Sequence, residues 1–263
     1  MNNMKAQIIL FASAVLMVCS CQKENLAEVS TAKNSVVATI AEEDTKTIVD
    51  GTNVTWKEDD QIAIAYYYGG VITKTYKLDN TYAGQKQGVF TGEEISFAGD
   101  CYAVYPYSIA GYKSGVKFDL ATPSEQTAGN NVGQYMPMYT EAFTMGDKLN
   151  FKHVSCALKI TINPSTSTKI NKIVVARKYG GSDNTPSASY TIVNGNVTKA
   201  GNVGVNLQID NTISEKTDYY IAVAPKSGGT WTITVTYKDS ETKSVEFTED
   251  LQAGKLYTGS FNL

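Results

Sequence analysis

Hydrophobic and polar residues alternate along much of the chain after its first thirty positions, and a period of two is typical of β-strands. In WTITVTY (231–237), large apolar and aromatic residues alternate with three threonines, which predicts an extended segment with one buried face. ALKITI (157–162) has the same period and stops before Pro164, which lacks the N–H that a sheet ladder needs. No window of a dozen residues has the spacing of an amphipathic helix. The chain is therefore predicted to be all-β.

Short turn signals separate these segments. Asn194-Gly195 lies between SYTIV and NVTKA, and this pair tolerates positive φ at both centres of a type I′ hairpin turn. Gly69-Gly70 ends QIAIAYYY, and Asp50-Gly51 leads into NVTW in a similar way. Strands and turns therefore account for almost the whole chain after the N-terminal segment.

The pattern changes near TMGDKLN (144–150). The segments before this point are long and rich in tyrosine and glycine, whereas the alternation after it is more regular. We therefore expect two stacked β-sandwich domains with polar outer faces, residues 34–150 and residues 151–263.

The N-terminus has the pattern of an export signal. Lys5 supplies a positive charge, and the apolar run Ile8–Val18, 11 residues long, is too short to cross a bilayer. Cys21 follows small Ser20 and has an aliphatic residue three places back, as a lipoprotein signal peptidase requires, whereas Cys19 follows a bulky valine. The sequence favours lipidation of Cys21 over an ordinary secretory signal cut elsewhere or a short buried helix.

On this interpretation residues 1–20 are a signal peptide, the mature chain begins at Cys21, and residues 21–33 form a polar tether. Each buried methylene of an acyl chain contributes about 0.8 kcal/mol, so a diacylglycerol with a further N-acyl chain anchors the protein without a membrane span. Gln22 stands where an aspartate would favour inner-membrane retention, by resemblance to other bacterial lipoproteins. The expected location is the outer membrane.

The composition is that of an ordinary globular protein, with 42% hydrophobic residues and a formal net charge of −3. The 22 lysines are scattered along the chain, which therefore offers no basic surface to a phosphate backbone. Nucleic acid is not an expected partner.

Candidate catalytic chemistry is sparse. His153 is the only histidine, and no motif places a serine or cysteine nucleophile beside it, so it is interpreted as structural and the chain as a non-enzyme. Cys101 and Cys156 either form one disulfide bond in an oxidising compartment or are two buried small apolar residues. Neither cysteine has a metal-ligating neighbour at suitable spacing, and no metal or cofactor is expected.

Two surface clusters each have two interpretations. The acidic run Glu58-Asp59-Asp60 supplies oxygen ligands for calcium, but it lacks the spacing of a D-x-D-x-D-G loop and is better explained as a solvated turn. Tyr66, Tyr67 and Tyr68 offer a stacking platform for sugar rings. Alternating tyrosines in the wall of a sandwich explain these three residues at least as well.

Four motifs, in order, give the chain a resemblance to the fimbrillin-like family of Gram-negative anaerobes. They are TKTIVDGTNVTWKEDDQIAIA (45–65), CYAVYPYS (101–108), LNFKHVSCALKITI (149–162) and LQAGKLYTGSFNL (251–263). The positions that match the family pattern are Trp56, Glu58, Asp60, Ile62, Tyr105, Pro106, Phe151, His153, Ala253, Gly254, Lys255 and Tyr257. The resemblance covers nearly the whole chain behind the signal segment.

The resemblance implies a pair of transthyretin-like β-sandwich domains and a role in surface fimbriae or related adhesive structures. In this family a protease removes the N-terminal segment with the first strand, and the exposed groove accepts a donor strand from a neighbouring subunit by β-augmentation. Expected partners are other fimbrial subunits and ligands on host or bacterial surfaces. The candidate first strand is SVVATIA (35–41), and its groove positions are Val36, Val37, Ala38, Thr39 and Ile40.

Two departures from the family pattern shape this expectation. The processing protease best associated with fimbrillins cuts after arginine, but the only arginine is Arg177. A lysine-directed cut after Lys23, Lys33 or Lys46 is therefore the remaining route. The closing motif runs out at Leu263 and leaves no donor segment past the last strand. A tip, anchor or accessory subunit, or a lipoprotein that never polymerises, is therefore expected rather than a stalk subunit.

Two other functions stay open on the sequence alone. One is an outer-membrane glycan-binding lipoprotein that does not polymerise, whose tyrosine or tryptophan fluorescence is expected to respond to saccharides. The other is an unrecognised hydrolase, which a screen of glycosidic, ester and peptide substrates would detect.

Overall fold

The computed structural model describes residues 34–41, 54–128, 132–178, 187–201, 204–226 and 228–263. These residues form nineteen β-strands and two short 3-10 helices, and none of them lies in an α-helix. The all-β prediction is confirmed. Over the same ranges, no helix has the length and apolarity that crossing a membrane requires.

The strands are numbered in chain order. Those before residue 155 are β1 (Ser35–Ile40), β2 (Gln61–Tyr67), β3 (Val71–Leu78), β4 (Gln87–Gly92), β5 (Cys101–Tyr105), β6 (Gly111–Tyr112), β7 (Val116–Thr122), β8 (Glu125–Thr127), β9 (Met138–Tyr139) and β10 (Leu149–His153). Those after it are β11 (Cys156–Asn163), β12 (Thr168–Arg177), β13 (Ala188–Val193), β14 (Asn196–Gly201), β15 (Val205–Ile213), β16 (Thr217–Val223), β17 (Trp231–Tyr237), β18 (Glu241–Phe247) and β19 (Leu256–Asn262). The 3-10 helices lie at Asn80–Tyr82 and Val132–Tyr135.

Seven strands form a closed barrel in the order β1-β10-β9-β5-β2-β3-β4. On β2, Ile62 and Ile64 belong to the apolar cluster inside the barrel, whereas Ala63 and Ala65 belong to a second cluster on the opposite face. Successive apolar residues therefore bury both faces of this strand. Because alanines cover the outer face, another sheet packs closely against it.

That second sheet has the order β14-β13-β7-β6. Phe118 of β7 and Tyr190 of β13 share one apolar cluster with the two outward alanines of β2. Six residue pairs join β7 to β13. Strands from before and after residue 150 therefore lie side by side in this sheet.

The other strands form two sheets, β16-β11-β19 and β18-β17-β12-β15-β8, whose inner faces share one core. β17 coincides with the predicted segment 231–237 and buries its tryptophan, isoleucine and valine. β11 ends at Asn163, directly before Pro164. The predicted hairpin turn is also confirmed, because φ is 48° at Asn194 and 76° at Gly195 between β13 and β14.

Hydrogen bonds join the early and late parts of the chain. β8 pairs with β15 in parallel. Gln126 of β8 donates from Nε2 to the Ala222 carbonyl at 2.8 Å, and the Ala222 N–H donates to Gln126 Oε1 at 3.0 Å. β10 crosses the expected boundary at residue 150. The division into two sandwich domains, 34–150 and 151–263, stays a prediction.

Candidate functional site

The first strand, β1, closes the barrel between β4 and β10. Five residue pairs join it to β4 in antiparallel register, and three pairs join it to β10 in parallel register. Beyond these ladders, the Ala41 N–H donates to the Phe151 carbonyl at 2.7 Å and the Gly92 N–H donates to the Asn34 carbonyl at 2.9 Å. β1 therefore has a hydrogen-bonded neighbour on each side.

Side chains on both faces of β1 are enclosed. Val36, Ala38 and Ile40 belong to the barrel core, with exposed fractions of 1%, 0% and 4%. Val37 is also buried, and Thr39 is half-buried. A strand covered on both faces needs apolar residues at successive positions, which SVVATI supplies.

The core that β1 covers is aromatic. Trp56 packs edge-on against Phe90, Tyr105 and Phe151, with ring-centroid distances of 4.9, 5.5 and 5.6 Å. Phe90 lies on β4 and Phe151 on β10, the two strands that flank β1. If β1 left, the unpaired edges of these strands and the aromatic cluster would border an open groove.

The acidic run at 58–60 forms a turn. Asp59 has a φ of 65°, and its carboxylate lies 2.8 Å from Lys77 Nζ. The hydrogen bond from Lys77 is the main reason that the pKa of Asp59 is lowered. Within the described ranges, no three acidic, histidine or cysteine side chains are grouped so as to hold a metal ion.

Asp60 of the same run has structural partners. It accepts a hydrogen bond from the Lys57 N–H at 2.7 Å and another from the Tyr105 hydroxyl at 3.0 Å. Burial has the largest effect on this carboxyl and raises its pKa, and the two hydrogen bonds oppose that effect. Asp60 therefore ties the turn to the barrel core.

His153 lies at the end of β10 and is 7% exposed. Its imidazole hydrogen-bonds the backbone of Met136, and burial lowers its pKa to about 4. The buried Nδ1 atom has no hydrogen-bond partner among the described atoms. The imidazole is therefore neutral at physiological pH, which suits the structural role that the sequence predicted.

Cys101 and Cys156 are both free and buried. Cys101 belongs to the barrel core, whereas Cys156 belongs to the core between the two C-terminal sheets. Burial raises the pKa of Cys101 to about 11 and that of Cys156 to about 12. Of the two alternatives left by the sequence, the structure has two buried thiols and no bridge between them.

The three consecutive tyrosines make different contacts. Tyr66 stacks on Phe97 with a centroid distance of 4.8 Å, and Tyr68 meets the same ring edge-on at 6.1 Å. Tyr67 instead contacts Tyr112, with a centroid distance of 5.4 Å. Tyr67, Tyr68 and Tyr112 have exposed fractions of 48%, 72% and 65%. The three tyrosines therefore make three aromatic contacts with two different partner rings, rather than one flat platform.

A cleft of about 310 Å³ opens beside Tyr67. Its lining includes Tyr67, Asp100, Tyr102, Tyr112 and Asn194. Tyr112 and Asn194 could not be predicted as neighbours of this cleft from the sequence, because they come from distant segments that only the folded sheets bring together.

Three predicted sites, Cys21, Lys33 and Lys46, lie outside the described residues. Lipidation and processing therefore stay predictions. Position along the chain still distinguishes the two lysines, because Lys33 precedes β1 whereas Lys46 lies between β1 and β2.

The fold is similar to that of solved Bacteroides proteins. A proposed cell adhesion protein from Bacteroides uniformis aligns with a TM-score of 0.54 at 19% identity, over 87% of this chain and 92% of that one. A second, from Bacteroides ovatus, has a TM-score of 0.56 at 14% identity over 87% and 91% of the two chains. A third, from Bacteroides fragilis, has a TM-score of 0.53 at 13% identity over 88% and 89%. At these identities the likeness establishes the fold alone.

The family comparison covers most of the sequence. No curated protein sequence matches the chain, but the fimbrillin-like family matches residues 45–263. This range includes all four motifs and every described strand except β1. The resemblance seen in the motifs is thereby confirmed, and the chain belongs to the fimbrillin-like family.

Proposed function

We propose that this chain is a surface subunit of fimbriae or related adhesive structures, and that β1 occupies a groove which a strand from another subunit takes over. The observation that carries the proposal is the placement of β1, which is buried on both faces and paired on both sides. Membership of the fimbrillin-like family supports the adhesive role.

A replacement strand needs the features that β1 supplies. It must offer N–H and C=O groups to β4 and β10, which otherwise become unpaired edges. It must also place apolar side chains where Val36, Ala38 and Ile40 lie in the barrel core. An apolar groove between two open edges is unfavourable in water, so release of β1 favours capture of a matching strand.

Release of β1 requires a cut on its C-terminal side. A cut after Lys33 leaves β1 covalently joined to β2, whereas a cut after Lys46 separates the two strands. Lys46 is therefore the processing position that suits strand exchange, and Lys33 is not.

The remaining features of the proposal come from the sequence. Acylation of Cys21 anchors the protein in the outer membrane, and residues 21–33 act as the tether. The chain is a non-catalytic tip, anchor or accessory subunit, built from two transthyretin-like sandwich domains at 34–150 and 151–263. Its partners are other fimbrial subunits and ligands on host or bacterial surfaces.

The test uses the full chain with a tobacco etch virus protease site in place of residues 44–50. After cleavage and removal of the N-terminal fragment in mild urea, a fluorescent SVVATIA peptide is titrated into the protein, and fluorescence anisotropy reports binding. The control peptide SDVDTDA carries aspartate at the three inward positions. It is expected to bind at least about tenfold more weakly, because a charged side chain is costly in an apolar groove.

Capture of SVVATIA by the cleaved protein, and not by the uncut chain, supports the groove. The uncut chain is the matched control because its own β1 fills the position. A cleaved protein that stays folded but binds neither the peptide nor another copy would overturn the strand-exchange proposal.

A second candidate function is that of an outer-membrane glycan-binding lipoprotein that does not polymerise. The exposed rings of Tyr67 and Tyr68 favour it, since aromatic faces suit the apolar faces of sugars. A saccharide-dependent change in tyrosine or tryptophan fluorescence tests this function. Donor-strand capture without any such change supports the fimbrial role alone.

A further inference from the structure

The cleft beside Tyr67, which we call the Tyr67–Tyr112 cleft, has an aromatic wall. The ring centroids of Tyr67 and Tyr112 are 5.4 Å apart, and the two ring planes are inclined at 36°. Half-buried Tyr102 also lines the cleft. Clustered exposed rings of this kind on a folded domain are typical of a binding surface.

Both exposed rings are carried by paired strands. Tyr67 stands opposite Val71 in the β2–β3 ladder, and Tyr112 stands opposite Val116 in the β6–β7 ladder. Their backbones are therefore fixed before any ligand arrives. Such preorganisation lowers the entropy cost of binding.

Asn194 contributes an oriented amide to the same cleft. Its Oδ1 accepts from the Val116 N–H at 2.9 Å, and its Nδ2 donates to the Ser114 carbonyl at 3.3 Å. A primary amide has two donor hydrogens and two acceptor lone pairs. One donor and one acceptor position are therefore left for a ligand.

Asp100 contributes a carboxylate. It is the one charged side chain among the described residues that line the cleft, and none of those residues donates a hydrogen bond to it. Sugar hydroxyls are good donors to such a carboxylate. A sialylated or sulfated sugar instead meets a like charge, which opposes binding.

We propose that the Tyr67–Tyr112 cleft binds one unit of a neutral pyranose saccharide. The apolar C–H face of the sugar lies on the two tyrosine rings, and its hydroxyls bind Asp100 and Asn194. The cleft volume of about 310 Å³ is at the lower end of the range of about 300–1,000 Å³ for ligand pockets, which suits a single sugar unit. This inference rests on the adhesive function proposed above and names its ligand class.

Gly115 keeps Asn194 in place. Its φ is +143°, and a Cβ atom there would lie 2.2 Å from both terminal atoms of the Asn194 amide. Gly115→Ala is therefore expected to displace the amide from its two backbone partners. The substitution tests the geometry of the cleft while leaving the aromatic rings and Asp100 intact.

The test is saturation-transfer difference NMR on the full chain. The probes are the methyl pyranosides of galactose, glucose, mannose and N-acetylglucosamine, with the methyl glycoside of sialic acid as the anionic comparison. We expect saturation of the C–H protons on one face of at least one neutral sugar, and a weaker effect on the sialoside.

Variants locate the binding. Tyr112→Ala is expected to weaken the affinity for the neutral sugar at least about tenfold, and Asp100→Asn and Gly115→Ala are expected to weaken it severalfold. Tyr107→Ala removes an exposed ring that does not line the cleft, so this control is expected to bind as the wild type does. Thermal unfolding of each variant identifies any that are misfolded.

Three outcomes would overturn the cleft proposal: no saturation transfer to any neutral pyranoside, stronger binding of the sialoside, or equal affinity of folded Tyr112→Ala and Tyr107→Ala. Donor-peptide capture is measured separately on the cleaved protein. Loss of saccharide binding with intact strand capture therefore refutes the cleft and leaves the fimbrial function standing.

Discussion

The Tyr105 hydroxyl donates a hydrogen bond of 3.0 Å to the Asp60 carboxylate, although 45 residues separate the two along the chain. The bond joins the end of β5 to the turn that precedes β2. The Tyr105 ring also packs edge-on against Trp56. Two motifs of the fimbrillin-like family therefore meet at this point, directly beneath the core that β1 covers.

Tyr105→Phe removes this hydrogen bond and keeps the ring. We expect the free energy of unfolding to fall by about 1–3 kcal/mol, because a half-buried carboxylate loses a partner. The pKa of Asp60 is expected to rise further, since the lost bond holds it down. Urea unfolding and a carbon-13 NMR titration of the carboxyl groups measure both effects. Tyr107→Phe, at an exposed tyrosine two positions away, is the control and is expected to change neither.

His153 is expected to make the fold sensitive to acid. The folded imidazole titrates near pH 4 and its ordinary value is 6.5, so the unfolded chain binds more protons between these limits. The free energy of unfolding therefore falls as the pH drops through this interval, by about 3 kcal/mol in total from this one group.

His153→Gln is expected to reduce this pH dependence. Unfolding of both proteins by urea at pH 7.0 and at about pH 4.5 isolates the histidine, because the carboxyl groups are common to the two chains. Equal losses of stability in the wild type and the variant would show that His153 is not buried in its neutral form.

Gln126→Ala is expected to weaken the contact between β8, in the early part of the chain, and β16, in the late part. The buried amide satisfies both the N–H and the carbonyl of Ala222, so its loss is expected to cost about 2–4 kcal/mol of stability. Gln208→Ala, at an exposed glutamine on the neighbouring strand β15, is the matched control and is expected to cost about 0.5 kcal/mol or less. Similar losses in the two variants would contradict the role of the Gln126 amide.

The two thiols are expected to report on different parts of the molecule. Cys101 shares the barrel core with the inward side chains of β1, whereas Cys156 lies in the core between the two C-terminal sheets. In the intact chain both are expected to resist alkylation, since they are buried and their pKa values are raised. Release of β1 is expected to speed alkylation of Cys101 alone, as measured by iodoacetamide pulses and peptide mass spectrometry. Equal acceleration at both sites would mean that β1 supports the whole fold.

The sequence predictions that the structure confirms depend on patterns within short, contiguous segments. The alternation in 231–237 is a property of seven adjacent residues, and it gives β17 with the expected face buried. Asn194-Gly195 needs only its own backbone conformation to form the hairpin turn. The family motifs were equally visible, because each is a short contiguous string.

Long-range pairing was not visible in the sequence. Nothing in SVVATI specifies that β1 runs parallel to β10, or that the ladder closes into a barrel, because strand partners are chosen by packing over the whole chain. The same holds for Tyr112 and Asn194, which complete the cleft from distant segments. The sequence indicated that Tyr66, Tyr67 and Tyr68 form a surface. Only the fold shows that Tyr67, and not the other two, lines a cleft with Asp100 and Asn194.

The pairing of β7 with β13 has a mechanical consequence. Six residue pairs of this ladder connect the two parts of the chain, and the parallel contact of β8 with β15 adds a second connection. A pulling force that separates the strands before residue 150 from those after it has to break both ladders. Under tension the protein is therefore expected to yield as one body, rather than to extend at a loose joint near residue 150.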